Sequence, residues 1–350
     1  MISRLPHGVE ALGAALVLVA AAALGAALLI VALRPLLQRY ALARPNARSG
    51  HSVPTPQGGG IAVLAAALVA AGAGALWLGL GTEPWWRLGM VLGAAVLMAG
   101  VGLVDDIVPL PPLPRLGLQL AGVAIAVAAL PAEVRVLPVL PLGVERAILV
   151  FGGGWFVNLT NFMDGMDLMT VAEFAPVTAA LTLFWHWGFL SAPAGLAALG
   201  LCGALLGFAP FNRPAARLFL GDVGSLPIGV IVAYGLFDLA GHGGLAAAIL
   251  LVLYYIADAT ITLAWRLRRG DRIWEAHRLH FYQVAQSRGF SVQDVLVRVF
   301  AVNLTLALFA TASLLQTSAA MVWLDLGLGA FAVFRLLRDL GRGRGADRML

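Results

Sequence analysis

The feature that most limits how this chain can fold is a series of apolar runs as long as a bilayer is thick. The first, Ala11 to Leu33, has 23 residues and no charge. A helix needs about 20 predominantly apolar residues to cross the hydrocarbon core. The hydrophobic part of a secretory signal is only about 7–15 residues long, so this run reads as an uncleaved first helix. Similar runs recur to the end of the chain. Over 350 residues, 61% are hydrophobic and 12% charged, where a soluble domain is about 45–50% apolar and about 25% charged. Such a chain cannot cover itself with polar surface, so its solvent must be lipid. The expected fold is an all-α integral membrane protein forming one polytopic domain over residues 1–350.

Eleven spans are expected, near 11–33, 60–80, 87–104, 116–131, 145–160, 171–190, 192–210, 223–238, 244–265, 295–315 and 319–337. The fourth is short, and Gly152, Gly153 and Gly154 interrupt the fifth. Arginine sets the orientation. All 23 basic residues are Arg, and nineteen of them lie in the odd-numbered loops or the C-terminal tail. Cytoplasmic loops collect cations. The odd loops are therefore expected inside, with the N-terminus periplasmic and the C-terminus cytoplasmic. Trp85/Trp86 and Trp185/Trp187 border even loops, as an outer aromatic belt would. The net charge of +5 then reflects membrane topology, not nucleic-acid binding.

Composition also removes chemistries. Without Lys, no Schiff base, lysine nucleophile or P-loop is available. The lone Cys202 excludes an intrachain disulfide and a cysteine metal site.

The chemistry-bearing residues fall in five odd loops: 34–60, 105–119, 158–170, 210–225 and 266–294. The first ends in Gly58-Gly59-Gly60 at a helix start, where free backbone amides would suit a phosphate, and Arg44 and Arg48 add charge. The second opens with Asp105-Asp106 at the end of an apolar helix. Adjacent side chains there point about 100° apart, and Mg²⁺ takes one or two carboxylates plus substrate phosphates. The third places Asn158, Asn161, Asp164 and Asp167 three residues apart. The fourth sets Asp222 between glycines, a metal ligand or a helix N-cap. The fifth holds His277 and His280, three apart and able to face one way on a helix. Acidic clusters for a cation, with Arg and His for phosphates, describe phosphoryl transfer. A transporter would instead place polar groups within the spans; Asp258, Glu173 and His186 are the few candidates.

The stretches RPNARSGHSVPTPQGGG, GLVDD with Arg115 and Gln119, NLTNFMDGMD, LFLGDVGS and HRLHFYQ together resemble the polyprenyl-phosphate N-acetylhexosamine-1-phosphate transferases. That family includes the bacterial undecaprenyl-phosphate GlcNAc-1-phosphate transferases and phospho-MurNAc-pentapeptide translocase. The resemblance covers roughly residues 44–283. It implies an Mg²⁺-dependent (or Mn²⁺-dependent) enzyme of the bacterial inner membrane, working at its cytoplasmic face. Its partners would be UDP-N-acetylhexosamine, undecaprenyl phosphate and the bilayer, with a homodimer allowed. Carried over, Asp222 and Asp106 hold the metal, and Asp105, Asp106, Asp164 and His277 serve catalysis. Arg48, His51, Asn158, Asn161, Asp167, Arg217, Arg278 and His280 bind substrate. Pro109, Leu168 and the HRLHFYQ block depart from the translocase pattern. They point away from a MurNAc-pentapeptide donor, while the HRLHFYQ block and the RPNARSGH opening look more like the O-antigen-initiating branch. The competing readings are a transporter or flippase that merely binds the nucleotide-sugar, and a scaffold that binds it without turnover.

Overall fold

The computed structural model describes residues 9–43, 54–272 and 277–343. Arg44, Arg48 and His51 lie outside these residues. Thirteen α-helices are described: α1 Val9–Tyr40, α2 Gly59–Trp77, α3 Thr82–Ile107, α4 Pro112–Ala128, α5 Leu142–Met163, α6 Met169–His186, α7 Ala192–Asn212, α8 Asp222–Leu239, α9 Leu245–Leu251, α10 Leu253–Arg268, α11 Phe281–Ser287, α12 Val292–Leu315 and α13 Ala319–Arg342. The only strands among the described residues are the two-residue pair β1 Leu42–Ala43 and β2 Thr55–Pro56, which pair antiparallel. Eight stretches are long and apolar enough to cross a membrane. The chain is an all-α integral membrane protein.

Eleven spans were expected, and the difference has a physical source. The fourth expected span is the 17-residue α4, too short to be counted. The sixth, α6, carries Glu173 and His186 within 18 residues. The 30-residue stretch Asp222–Leu251 joins two expected spans, but non-helical His242 and Gly243 interrupt it. A further break at Val252 separates α9 from α10. The triple glycine does not interrupt the fifth span, because α5 runs unbroken for 22 residues. A methyl on Gly153 would meet Val123, and one on Gly154 would meet Leu120, so these glycines admit α4. The first helix also outruns its expected end and carries Pro35 inside it.

Burial separates an inner layer from a lipid-facing one. In the apolar window of Asp222–Leu251, 94% of residues are buried, against 17% for α1 and 28% for α13. A helix that is apolar all round belongs in the core, and α8 packs against α3, α5, α2 and α7. The five odd connections meet at one end of this bundle. Gln57 pairs with Phe219, Asp106 reaches Asp222 and Val223, Asp167 reaches Ala216, and Tyr282 reaches Phe162. The even connections meet at the other end, where Arg87 donates to the Ala129 carbonyl and Asp238 accepts from the Ser191 amide.

Candidate active site

The site is built where the end of α3 meets the start of α8. Gly102 makes the approach: a Cβ there would lie 2.2 Å from the Asp222 carbonyl oxygen. One turn later, Asp106 reaches over the N-terminus of α8. Its Oδ1 accepts from the Asp222 amide at 3.1 Å and its Oδ2 from the Val223 amide at 3.1 Å. Gln57 Nε2 donates to Oδ1 at 2.5 Å. The carboxylate therefore caps a helix other than its own. An anion is disfavoured at its own helix's C-terminus and favoured at another's N-terminus. Asp105 turns elsewhere, as neighbours on a helix must. It accepts from Arg115 Nη1 at 2.6 Å and from the Leu110 amide at 2.7 Å, which closes the α3–α4 turn.

Asp222 stands at the first position of α8, with Gly221 as the N-cap. Its Oδ1 accepts from Asn161 Nδ2 at 2.7 Å, and the same nitrogen donates to Ser225 Oγ at 3.0 Å. Asp164 caps the C-terminus of α5, so this helix ends before Gly165. Thr170 Oγ1 donates to Asp164 Oδ1. The Asp164 carboxyl is pushed up to about 8, chiefly by its low-polarity surroundings; Thr170 opposes the shift, and the charges of Asp222, Asp106 and Asp167 add to it. Carboxylates from three separate stretches thus feel one another. Among the described residues, no donor is bonded to Oδ2 of Asp222 or of Asp164.

Several expected substrate contacts are committed elsewhere. Asn158 Nδ2 donates to Gln119 Oε1 at 2.8 Å and to the Gly154 carbonyl, joining α4 to α5. Asp167 is 5% exposed and accepts from the Ala216 amide at 3.0 Å. The glycine run does not offer a phosphate nest, because the Gly59 and Gly60 amides donate to the Phe219 and Leu220 carbonyls. His277 and His280 precede α11 and share no helix, yet their rings lie 4.7 Å apart. His280 is 2% exposed, with its Nδ1 3.2 Å from Asp258 Oδ1. Arg217 and Arg278 are exposed. Asp258 and Glu173, the transporter-like candidates, are both buried and bonded, Glu173 to Asn303 at 2.7 Å.

Sequence reading assigned no role to Gln57, Thr170 or Ser225, and considered Asp258 only as a transporter-like candidate. The first three lie within or beside the motif blocks, but only contact reveals their partners. Asp258 carried a signal of its own, a carboxylate inside an apolar helix.

A divalent ion fits this donor set. Among the described residues, two carboxylate oxygens have no donor bonded to them, and Mg²⁺ binds through one or two carboxylates while leaving positions for water and substrate phosphate. Asp106 fits less well than expected, since three of its roughly four acceptor positions are occupied. No group of three or more His, Cys, Asp or Glu poised to ligate a metal occurs among the described residues, so the fit is to an open site completed by substrate.

Residues 88–240 match the family model described as glycosyl transferase family 4. That stretch contains the α3, α5 and α8 corners of the site. The chain is 27% identical to a decaprenyl-phosphate N-acetylglucosaminephosphotransferase of Mycobacterium leprae, over 85% of this chain and 84% of the relative. It is 30% identical to a phospho-N-acetylmuramoyl-pentapeptide-transferase of Mycolicibacterium smegmatis, over 51% of this chain and 62% of the relative. A Streptococcus pneumoniae protein of the latter name is 29% identical, over 65% and 73%. The family match and the curated relatives agree with the family that the sequence motifs resemble: residues 88–240 are similar to glycosyl transferase family 4, and 85% of the chain is similar to a decaprenyl-phosphate N-acetylglucosaminephosphotransferase.

Proposed function

We propose that this protein transfers HexNAc-1-phosphate from a UDP-sugar to undecaprenyl phosphate, releasing UMP, at the cytoplasmic face of a bacterial inner membrane. The observation that carries this reading is the joint at one end of the helix bundle, where Asp106 caps the helix that Asp222 begins, Asn161 holds Asp222, and Asp164 follows three residues after Asn161. An oxygen of the lipid phosphate attacks the donor's β-phosphorus, the bond from that phosphorus to the UMP oxygen breaks, and UMP leaves. One phosphoanhydride replaces another. A phosphate monoester has its second pKa near about 6, so the acceptor is largely dianionic at neutral pH without a strong base.

Two anions must meet, so charge neutralisation dominates the barrier. Asp222 and Asp164 would hold Mg²⁺, which when bound supplies the positive charge between donor and acceptor phosphates. Asn161 fixes the rotamer of Asp222. Asp106 holds the start of α8 against α3, and Asp105 with Arg115 holds the turn beside it. Arg217, Arg278 and His277 would meet phosphate on this reading, as would Arg48 and His51, which lie outside the described residues. The arginine bias supports eleven spans with the N-terminus outside. Counting Leu245–Arg268 as one interrupted rod, the described helices apart from α11 also number eleven. The departures at Pro109 and Leu168 disfavour a MurNAc-pentapeptide donor, while the HRLHFYQ block and the RPNARSGH opening favour a GlcNAc-, GalNAc- or 6-deoxy-HexNAc-type donor and a role in O-antigen-type polysaccharide assembly.

The test is a donor panel. Purified protein in detergent, with undecaprenyl phosphate and Mg²⁺, should form radiolabelled prenyl-diphosphate sugar from one UDP-HexNAc, and Asp222→Asn should abolish UMP release. Near-normal turnover by Asp222→Asn would remove that residue from the site. Substrate translocation in vesicles without metal-dependent UMP would identify a transporter.

A further inference from the structure

We propose that Asp258 is a positioning residue for the transfer reaction: it draws the histidine segment 277–282 onto the Asp164–Gly165 corner and fixes His280 as the support against which His277 packs. The activity part of this proposal rests on the function proposed above; the structural part does not.

Asp258 lies in α10 and is fully buried, where an unpaired carboxylate is costly. Both of its oxygens are used by the histidine segment. Oδ1 accepts from the Phe281 amide at 3.0 Å and lies 3.2 Å from His280 Nδ1. Oδ2 accepts from the Tyr282 amide at 3.4 Å. Tyr254 and Thr262, one turn either side on the same helix, add hydroxyl bonds at 3.3 and 3.4 Å. Three of these five contacts come from residues more than 20 positions later, so the carboxylate's main effect is to hold a distant segment. A carboxylate at Nδ1 keeps the proton on that nitrogen and sets the ring's orientation.

The orientation is passed on by contact. The His280 ring lies 4.7 Å from His277 and stacks within 15° of Tyr282 at 6.0 Å. Tyr282 Oη donates to the Phe162 carbonyl at 3.4 Å. A Cβ on Gly165 would fall 2.3 Å from that hydroxyl oxygen, so only glycine beside Asp164 admits the tyrosine. One buried carboxylate therefore links α10 to the corner carrying Asp164, with His280 and Tyr282 as the two arms. A side chain that supported α10 alone would need neither arm.

The test combines mobility with kinetics. The chain has one cysteine, so Cys202→Ala leaves a background in which Leu279→Cys, at a residue 43% exposed, takes a nitroxide label. A second label, at Val139→Cys in a connection at the other end of the bundle, serves as the reference. Asp258→Asn is expected to sharpen the Leu279 spectrum and leave the Val139 spectrum unchanged. Asp258→Asn and His280→Gln should each lower kcat/KM for the UDP-sugar by about 10- to 100-fold, as removal of an orienting partner does. The double variant should fall no further than the worse single one. An unchanged Leu279 spectrum, or losses that multiply in the double variant, would overturn the proposal. If Asp258→Asn does not assemble in the membrane, His280→Ala cuts the same link, and an unchanged label there overturns it equally. If the unsubstituted protein turns over no donor, the function reading fails while the label still decides the positioning.

Discussion

Replacing Asp106 by Asn separates a helix cap from a metal ligand. Three hydrogen bonds end on this carboxylate, from the Asp222 and Val223 amides and from Gln57. Asparagine keeps one acceptor oxygen and turns the other into a donor. If its NH₂ takes the Oδ1 place, two donors confront it, and a flip of the Gln57 amide relieves only one. If its NH₂ takes the Oδ2 place, the Val223 amide alone loses its acceptor, so this arrangement should win. An unmet backbone amide costs about 1–3 kcal/mol, and the lost negative charge at the start of α8 adds about 0.3–1 kcal/mol. The group is half-buried, so a total of about 2–3 kcal/mol is expected. On a domain of this size that lowers the midpoint of thermal unfolding by about 5 °C. The assay is melting in detergent beside an Mg²⁺ titration of UMP release. Asp106→Asn should melt early, yet need an Mg²⁺ concentration within about threefold of normal, a difference under about 0.7 kcal/mol. Normal melting together with a tenfold larger Mg²⁺ requirement would refute the cap and make Asp106 a ligand.

Two further outcomes follow from the same joint. Gly102→Ala would put a methyl 2.2 Å from the Asp222 carbonyl oxygen, which is backbone and cannot swing aside; overpacking of this kind costs about 1–3 kcal/mol, and both melting temperature and turnover should fall, whereas unchanged values would show that α3 and α8 do not press together. Asp164, with its carboxyl pushed up to about 8, is mostly protonated near neutral pH, and a cation must displace that proton. Mg²⁺ affinity should therefore climb with pH until about 8 and then level, with buffer-dependent heat in calorimetry; a flat profile below pH 8 would count against Asp164 as a ligand. The same shift has a stability sign: the folded value lies above the unfolded one, so the contribution is fully present below about pH 4 and is lost as pH rises towards 8.

The membrane class was legible because composition alone decides which solvent a chain can use. The acidic and histidine blocks were legible as residue types. Their partners were not, because partnership is decided by how helices cross. Asp106 and Asp222 are 116 residues apart, and nothing local says that one caps the helix of the other. The glycine run before α2 misled for a related reason. Its amides look free in the sequence, but residues 219–220 lie alongside and accept from them. Asn158 follows the same three-residue spacing as Asn161, yet its amide faces α4 while that of Asn161 faces Asp222. A spacing of three advances a helix by about 300°, so successive members of such a stripe drift around the axis and need not share a target. The histidine pair could have faced one way on a helix; it lies just ahead of one, with His280 against Asp258.

The charges of the site follow from these partnerships. Four carboxylates lie at the ends of α3 and α5 and the start of α8, in a place that on the proposed function also receives two phosphate-bearing substrates. Taken as four free anions, such a site would repel both. Asp105 is paired with Arg115, and Asp106 accepts from the amides that begin α8. That leaves Asp222 and Asp164, each with one oxygen free of described donors. In the absence of a cation, the site's own relief is a proton on Asp164, which is what its raised pKa records. Two residual negative charges facing incoming phosphates call for a divalent cation. A single positive side chain would pair with one carboxylate and leave nothing for the substrate, whereas an ion with open coordination positions can serve protein and phosphate together. On the proposed function, four similar residues divide into two that build the joint and two that would face the substrate.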